Sequence, residues 1–225
     1  MDEVQKAGRI FGVLFIVTFI TSISALALFQ SVLDDPAGYI AGGGKDNQIY
    51  LGAFLEFLLV ISNVGTAVVL YPIARRQNEY LAIGYVAARI IESTFIAAGI
   101  IFVLGVVQLR HDSADASELA VSLAALKDLT FLLGPGLIVP FGNGLILGYL
   151  MYKSQLVPRP WPWLGLIGGP LLLLGNIGVL FDWWDQTGAV SILVIPEFIW
   201  EAFLGIYCAI WGFRRDSPIL RPSTA

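Results

Sequence analysis

The sequence predicts an all-α fold, a six-transmembrane-helix bundle, and three observations carry that prediction. Apolar residues make up 57% of the 225 residues and charged residues only 13%, against about 25% charged in a soluble domain. The mean hydropathy is +0.78, which excludes an ordinary soluble enzyme. Six runs are each long enough to cross a hydrocarbon core, which takes about 20 largely apolar residues at 1.5 Å rise per residue. The third observation is the segregation of basic residues. Lys6, Arg9, Arg75, Arg76, Lys153, Arg159, Arg214, Arg215 and Arg221 fall on one side of the spans, and Lys45, Arg110 and Lys127 on the other. The basic side of a membrane protein is the cytoplasmic one, so both termini are expected in the cytoplasm. The acids agree: Asp34, Asp35, Asp46, Asp112, Asp115, Glu118, Asp128, Asp182 and Asp185 all fall on the outer side.

The first span is read as Ile10–Gln30. Ala25–Ala27 resembles a signal-peptide cleavage site, but the apolar run continues past it and Asp2 and Glu3 weaken the basic flank, so this run is expected to remain as a span. A connection over Ser31–Gln48 carries the turn signals "DDPAG" and "GGGKDN". The second span is Ile49–Ile73 and the third Leu81–Leu109. In the next connection, Arg110–Asp128, "SELAVSLAALKD" predicts a short helix capped by Ser117 and leading into the fourth span, Leu129–Tyr152.

That fourth span contains "GPGLIVPFGNGLILG". Its glycines and its prolines, Pro135 and Pro140, leave two readings open. One is a kinked helix packed closely through the small-residue pairs Gly144/Gly148 and Gly165/Gly169. The other is a broken helix lining a site, as transporters use. The fifth span, Trp163–Phe181, is bracketed by Trp161, Trp163, Trp183 and Trp184 as interfacial anchors. The sixth is Ala189–Phe213, where Pro196 precedes Glu197 and predicts a kink beside it. No large soluble domain can be cut out, so the whole chain reads as one membrane domain.

Residue counts exclude much chemistry. The single cysteine, Cys208, allows no intramolecular disulfide and lies in an apolar run as a small hydrophobe. With one histidine, His111, in a polar loop, paired-histidine haem ligation, iron–sulfur clusters and His-rich metal sites are not expected. No lysine is read at mid-membrane, which argues against a retinal Schiff base. There is no Ser/His/Asp constellation and no phosphate-binding loop; Gly42–Gly44 reads as a flexible turn. No catalytic residue, metal, cofactor or nucleic-acid partner is assigned.

What remains is a set of polar groups inside the spans: Glu56, Arg89, Glu92, Glu197 and Glu201, with Asn63, Asn143 and Asn176. An ionised group at the bilayer centre costs about 2.5–3.5 kcal/mol, so such residues face the bundle interior or a wet cavity. Counted by helical rise, Arg89, Asn63 and Asn143 lie about 12–14 Å from the cytoplasmic end, Glu92, Glu201 and Asn176 about 16–20 Å, and Glu56 and Glu197 about 22–24 Å. Spacing supports convergence. Arg89 and Glu92 are three apart, Glu197 and Glu201 four apart, and Glu56 and Asn63 seven apart, each pair on one helix face.

Two readings of this column compete. Arg89 with Glu92 is either a structural ion pair that docks helices, or an arginine snorkelling to the headgroups. That account does not cover four glutamates set against one arginine, because surplus carboxylates need protons, a cation or a ligand. Three functions follow. The favoured one is a small transporter-like or ligand-binding bundle, open to the outer face, for a small molecule or cation. The next is an accessory or assembly subunit with a membrane-protein partner or a second copy. The third is a membrane-embedded enzyme using paired carboxylates on a lipid. Enzyme chemistry is the least supported.

The stretches "YPIARRQNEYLAIGYVAARIIEST", "GYLMYKSQLVPRPWPWLGLIGGPLLLL" and "PEFIWEAFLGIYCAIWGF" resemble the bacterial integral membrane proteins grouped as domain of unknown function 4386. The resemblance runs from Arg9 to Phe213, and the features that carry it best are Arg89-x-x-Glu92, the Y-x-S-x-x-V-P stretch at Tyr152–Pro158, and Glu201 ahead of a terminal W-G-F. It departs from the family mainly in its proline-rich "VPRPWPW". It implies a six-helix protein of a bacterial cytoplasmic membrane, and no activity.

Overall fold

A computed structural model describes residues 3–112, 116–185 and 190–221. Asp2, Asp115 and Ala189, used in the sequence reading, lie outside the described residues, as does the side chain of Asp112. Every regular element described is a helix, and six of the helices are long and apolar enough to cross a membrane.

The elements run α1 (Glu3–Leu33), α2 (Pro36–Ile40), α3 (Asp46–Ala74), α4 (Glu79–Asp112), α5 (Ser117–Phe131), α6 (Leu137–Val139), α7 (Gly148–Ser154), α8 (Pro162–Leu180), α9 (Val190–Leu193) and α10 (Ile195–Trp211). Most spanning helices outrun the apolar runs that predicted them, because backbone bonding continues into polar flanks. End charges help: Glu3, Asp46 and Glu79 lie in first turns, and Arg110 and His111 in the last turn of α4. The connection read as turns holds α2, which starts at Pro36 behind Asp35, whose carboxylate accepts from the Gly38 amide at 2.9 Å.

The fourth span corrects the reading in two respects. The helix expected between Arg110 and Asp128 is not separate, and Ser117 is its first helical residue behind Ala116 rather than its cap. A single helical path crosses Ser117–Ser154, so Lys127 and Asp128 stand within it rather than in an outer loop. Nor is the path broken. Leu132–Gly136 and Pro140–Leu147 are π-helical, flanking α6, so the wider turn absorbs Pro135 and Pro140 without leaving the helix. In the sixth span regular helix lapses at Val194 between α9 and α10, two residues before Pro196, while its bonding continues: the Val194 amide donates to the Val190 carbonyl at 3.0 Å and the Phe198 amide to the Val194 carbonyl at 2.9 Å.

Close approach explains several glycines. A Cβ on Gly144 would lie 2.6 Å from Gly169 Cα, and one on Gly169 would lie 2.5 Å from the Pro140 carbonyl. Neither is sterically possible, so the Gly144/Gly148 and Gly165/Gly169 faces pack backbone to backbone as small-residue pairs do. Gly8 and Gly12 admit the backbone of the Cys208–Phe213 stretch to α1 in the same way.

Two apolar cores result. One gathers Phe11, Phe15, Leu70, Tyr85, Leu150, Met151, Leu204, Cys208 and Phe213 near the end that holds both termini. The other gathers Ala25, Phe29, Tyr39, Ile49, Val103, Val106 and Ala120 at the opposite end. Between them lies a layer of buried polar residues that includes Asn63, Thr66, Arg89, Glu92, Ser93 and Asn143.

Candidate functional site

Arg89 is 2% exposed and Glu92 is 5% exposed, so Arg89 does not snorkel to the surface. Its Nη1 donates to Glu92 Oε2 at 2.7 Å, its Nη2 to the Asn63 side-chain oxygen, and its Nε to the Asn63 carbonyl at 3.5 Å. Asn63 closes the ring by donating Nδ2 to Glu92 Oε1 at 2.9 Å. Each Glu92 oxygen therefore has its own donor. The spacing that put Arg89 and Glu92 on one face of α4 supplies the pair, and Asn63 of α3 locks it. The guanidinium also lies 5.7 Å from the centre of the Phe15 ring. Below it, Thr66 Oγ1 donates to the Asn63 carbonyl at 2.6 Å and lies 3.4 Å from the Tyr85 hydroxyl.

A second set sits across the bundle. Asn143, on the π-helical stretch, donates Nδ2 to Glu201 Oε1, and Trp200 Nε1 donates to the Asn143 carbonyl at 3.0 Å. Glu201 is close enough to Arg89 and Glu92 to interact with both electrostatically. Glu197, one turn earlier, is 2% exposed. Neither of its oxygens has a hydrogen-bond partner among the described residues, and the side-chain oxygen of Asn143 has none either.

Two residues of the predicted column do not join. Glu56 bonds through both oxygens to Lys127 Nζ, at 2.6 and 2.7 Å. It lies seven residues from Asn63 along α3, about 10 Å by helical rise, towards the opposite core. Asn176 donates to the Gly136 carbonyl at 2.8 Å. In an α-helix that carbonyl would accept from residue 140, which is a proline with no hydrogen to give. Asn176 therefore repairs the proline break.

Lys127 is the residue that reading the sequence missed, and it changes the charge count to four glutamates against two cations. A signal was present. Ala120, Ala124, Lys127 and Thr130 repeat at helical spacing and are all buried, so the lysine continues a small-residue face into the bundle. Gly99 of α4 makes room for it: a Cβ there would lie 3.0 Å from Lys127 Nζ.

A further polar cluster lies at the far end. Asp46 accepts from the Tyr39 hydroxyl at 2.5 Å and from Arg110 at 2.7 Å, and His111 Nε2 lies 2.9 Å from its other oxygen. Burial, reinforced by the bond to Asp46, pushes the Tyr39 phenol above its ordinary value. No group of three or more His, Cys, Asp and Glu among the described residues is arranged to hold a metal.

The family model for Domain of unknown function (DUF4386) matches residues 10–212, a span that contains every residue of both polar sets. The chain belongs to that family. Neither a curated protein nor a solved structure matches it. The family's description names no activity, so the function of this chain has to be argued from its buried groups. It is a six-helix membrane protein whose second polar set holds two glutamates with no cation bonded to them among the described residues.

Proposed function

We propose that the protein is a small transporter-like or ligand-binding bundle that takes up a proton, a cation or a cationic small molecule at its buried carboxylates. One observation carries this reading. Glu92 and Glu56 each have a cation bonded to them, whereas among the described residues the buried Glu197 and the half-buried Glu201, one turn apart on α10, have none. Burying ions without partners is expensive, and a bundle that served only as structure would gain from apolar residues there. Arg89, held by Glu92 and Asn63, pairs with Glu92 and fixes the wall facing Glu201. The second set, Glu197, Glu201 and Asn143, receives the ligand.

The orientation and location belong to the same reading. With Lys127 and Arg89 inside the bundle, nine basic residues stand at the terminal side against Lys45 and Arg110 opposite, which favours cytoplasmic termini in a bacterial cytoplasmic membrane. The site then opens towards the outer face.

Reconstitution tests it. Proteoliposomes of the purified protein, with a pH-sensitive dye inside and an imposed cation gradient, are expected to show flux that Glu201→Gln abolishes. Absence of flux in the wild-type protein, with no cellular phenotype for Glu92→Gln or Glu201→Gln, overturns the reading. Stability only in the presence of partner chains would favour an accessory subunit instead.

A further inference from the structure

We propose that Glu197 is a proton-binding site, held in the folded bundle as the neutral carboxylic acid, with Glu201 as the group that exchanges the proton with it. This rests on the proposed function and names its ligand. Three observations support it.

Glu197 lacks the company that a buried anion needs. It is 2% exposed, and neither oxygen has a hydrogen-bond partner among the described residues. The elements packed against α10 bring it no charge. The π-helical stretch Pro140–Leu147, α8 and α9 contain no titratable residue. Those of α1 are Glu3, Lys6 and Arg9, at the terminal end, where Gly8 and Gly12 meet the far end of α10 at Cys208–Phe213. Among the described residues Glu201 is the one charged group close enough to act on Glu197, and it has the same sign. Desolvation without a counter-charge favours the neutral form of a carboxyl group.

The packing suits a proton and nothing larger. A Cβ on Gly168 would lie 2.7 Å from the Glu197 amide nitrogen. One on Gly144 would lie 2.6 Å from Gly169 Cα and 3.0 Å from Glu197 Oε2. On these two sides of Glu197 there is no room for a methyl group, and a hydrated cation is larger. A proton bonded to a carboxyl oxygen needs no cavity.

The pair divides the roles. Glu197 and Glu201 are four residues apart on one face of α10. Two carboxyl groups this near resist ionising together, so one of them holds a proton. Glu201 is half-buried, its Oε1 accepts from Asn143 Nδ2, and Arg89 is close enough to act on it. Of the two, Glu201 is the better place for negative charge and Glu197 the better place for the proton. In the exchange an O–H bond at Glu197 breaks and one forms at Glu201. A carboxylic acid and a carboxylate swap positions, and the total charge is unchanged.

The test is infrared spectroscopy of the purified full chain in a maltoside detergent, which has no ester carbonyl. At neutral pH the wild type should show the carbonyl stretch of a protonated carboxyl group, shifted down in deuterium oxide. Glu197→Gln should lose that band, and Glu201→Gln should keep it. Glutamine copies the shape of the neutral acid, so Glu197→Gln should fold. Thermal unfolding supplies the second readout. The unfolded chain sheds this proton near pH 4.3 while the folded one keeps it, so stability falls as pH rises above that value. The Tm of the wild type should drop relative to Glu197→Gln by roughly 3–5 °C per pH unit from about pH 5 to neutrality. A neutral-pH spectrum that Glu197→Gln leaves unchanged overturns the proposal. So does a band lost in Glu201→Gln and kept in Glu197→Gln, or a Tm difference that does not vary with pH. The band without flux in proteoliposomes would remove the transport reading and leave the proton site standing. Flux without the band would do the reverse.

Discussion

The half of the bundle made by α3, α4 and α5 and the half made by α8, α10 and the π-helical stretch bury similar groups to opposite effect. In the first, Glu92 is bonded to Arg89 and Asn63, and Glu56 to Lys127. Every carboxylate buried there has a cation, and its oxygens are used. In the second, Glu201 has only an amide and Glu197 has nothing among the described residues. The first half shows what a resolved buried charge looks like in this protein. By that standard the second is unfinished, and its deficit is a property of one helix face.

The largest effect should come from unbalancing the resolved half. Lys127→Met strands Glu56 in the interior, and breaking a buried pair from one side costs about 3–5 kcal/mol. Unfolding in detergent should show that loss, and the double variant Glu56→Met/Lys127→Met should recover most of it, because two apolar side chains replace the pair without leaving a charge. Glu197→Gln should cost little by comparison, since no partner is lost. The comparison breaks if the double variant is no better than the single one, or if Glu197→Gln is as damaging as Lys127→Met.

The fold was legible because its cause is local. Length and hydropathy each act within a segment, so all six spans emerged, most with ends displaced by a few residues and the fourth starting at Ser117 instead of Leu129. The Arg89–Glu92 pair was legible for the same reason, being three residues apart on one face. Partner choice between helices was not. Lys127 stood at the edge of an apolar run, where counting by loops put it outside, and only the continuous helix through Ser117–Ser154 brings it to Glu56. Asn176 looked like a member of the column because depth alone placed it there. Its bond goes sideways to Gly136, a requirement set by Pro140 in another span. Proline and glycine predicted irregularity in the fourth span correctly, but not its form, since π-helix and a true break begin from the same residues.

Asn176 offers a middle-sized test of the division. If it only repairs the carbonyl left by Pro140, Asn176→Ala should lower stability by about 1–3 kcal/mol, the cost of a buried acceptor left unpaired. Flux should persist at wild-type level. A variant of normal stability that has lost flux would move Asn176 into the ligand-binding set and widen the unfinished half by one helix.

The smallest effect is expected where pairing extends beyond the spans. Tyr39 donates to Asp46, which Arg110 and His111 also approach, so Tyr39→Phe should remove one hydrogen bond and about 1 kcal/mol. Its pH dependence is more telling. In the folded protein burial holds the phenol above its ordinary value, while in the unfolded chain it ionises near pH 10. A raised folded value means the contribution is complete below about pH 10 and drains away above it, as the unfolded state sheds a proton that the folded state keeps. Wild-type stability should therefore fall on titration from pH 9 upwards, and Tyr39→Phe should fall less over the same interval. Equal slopes for the two proteins would mean that the Tyr39 hydroxyl is solvated at the outer end, and that the orderly pairing of α3 and α4 stops at Glu56.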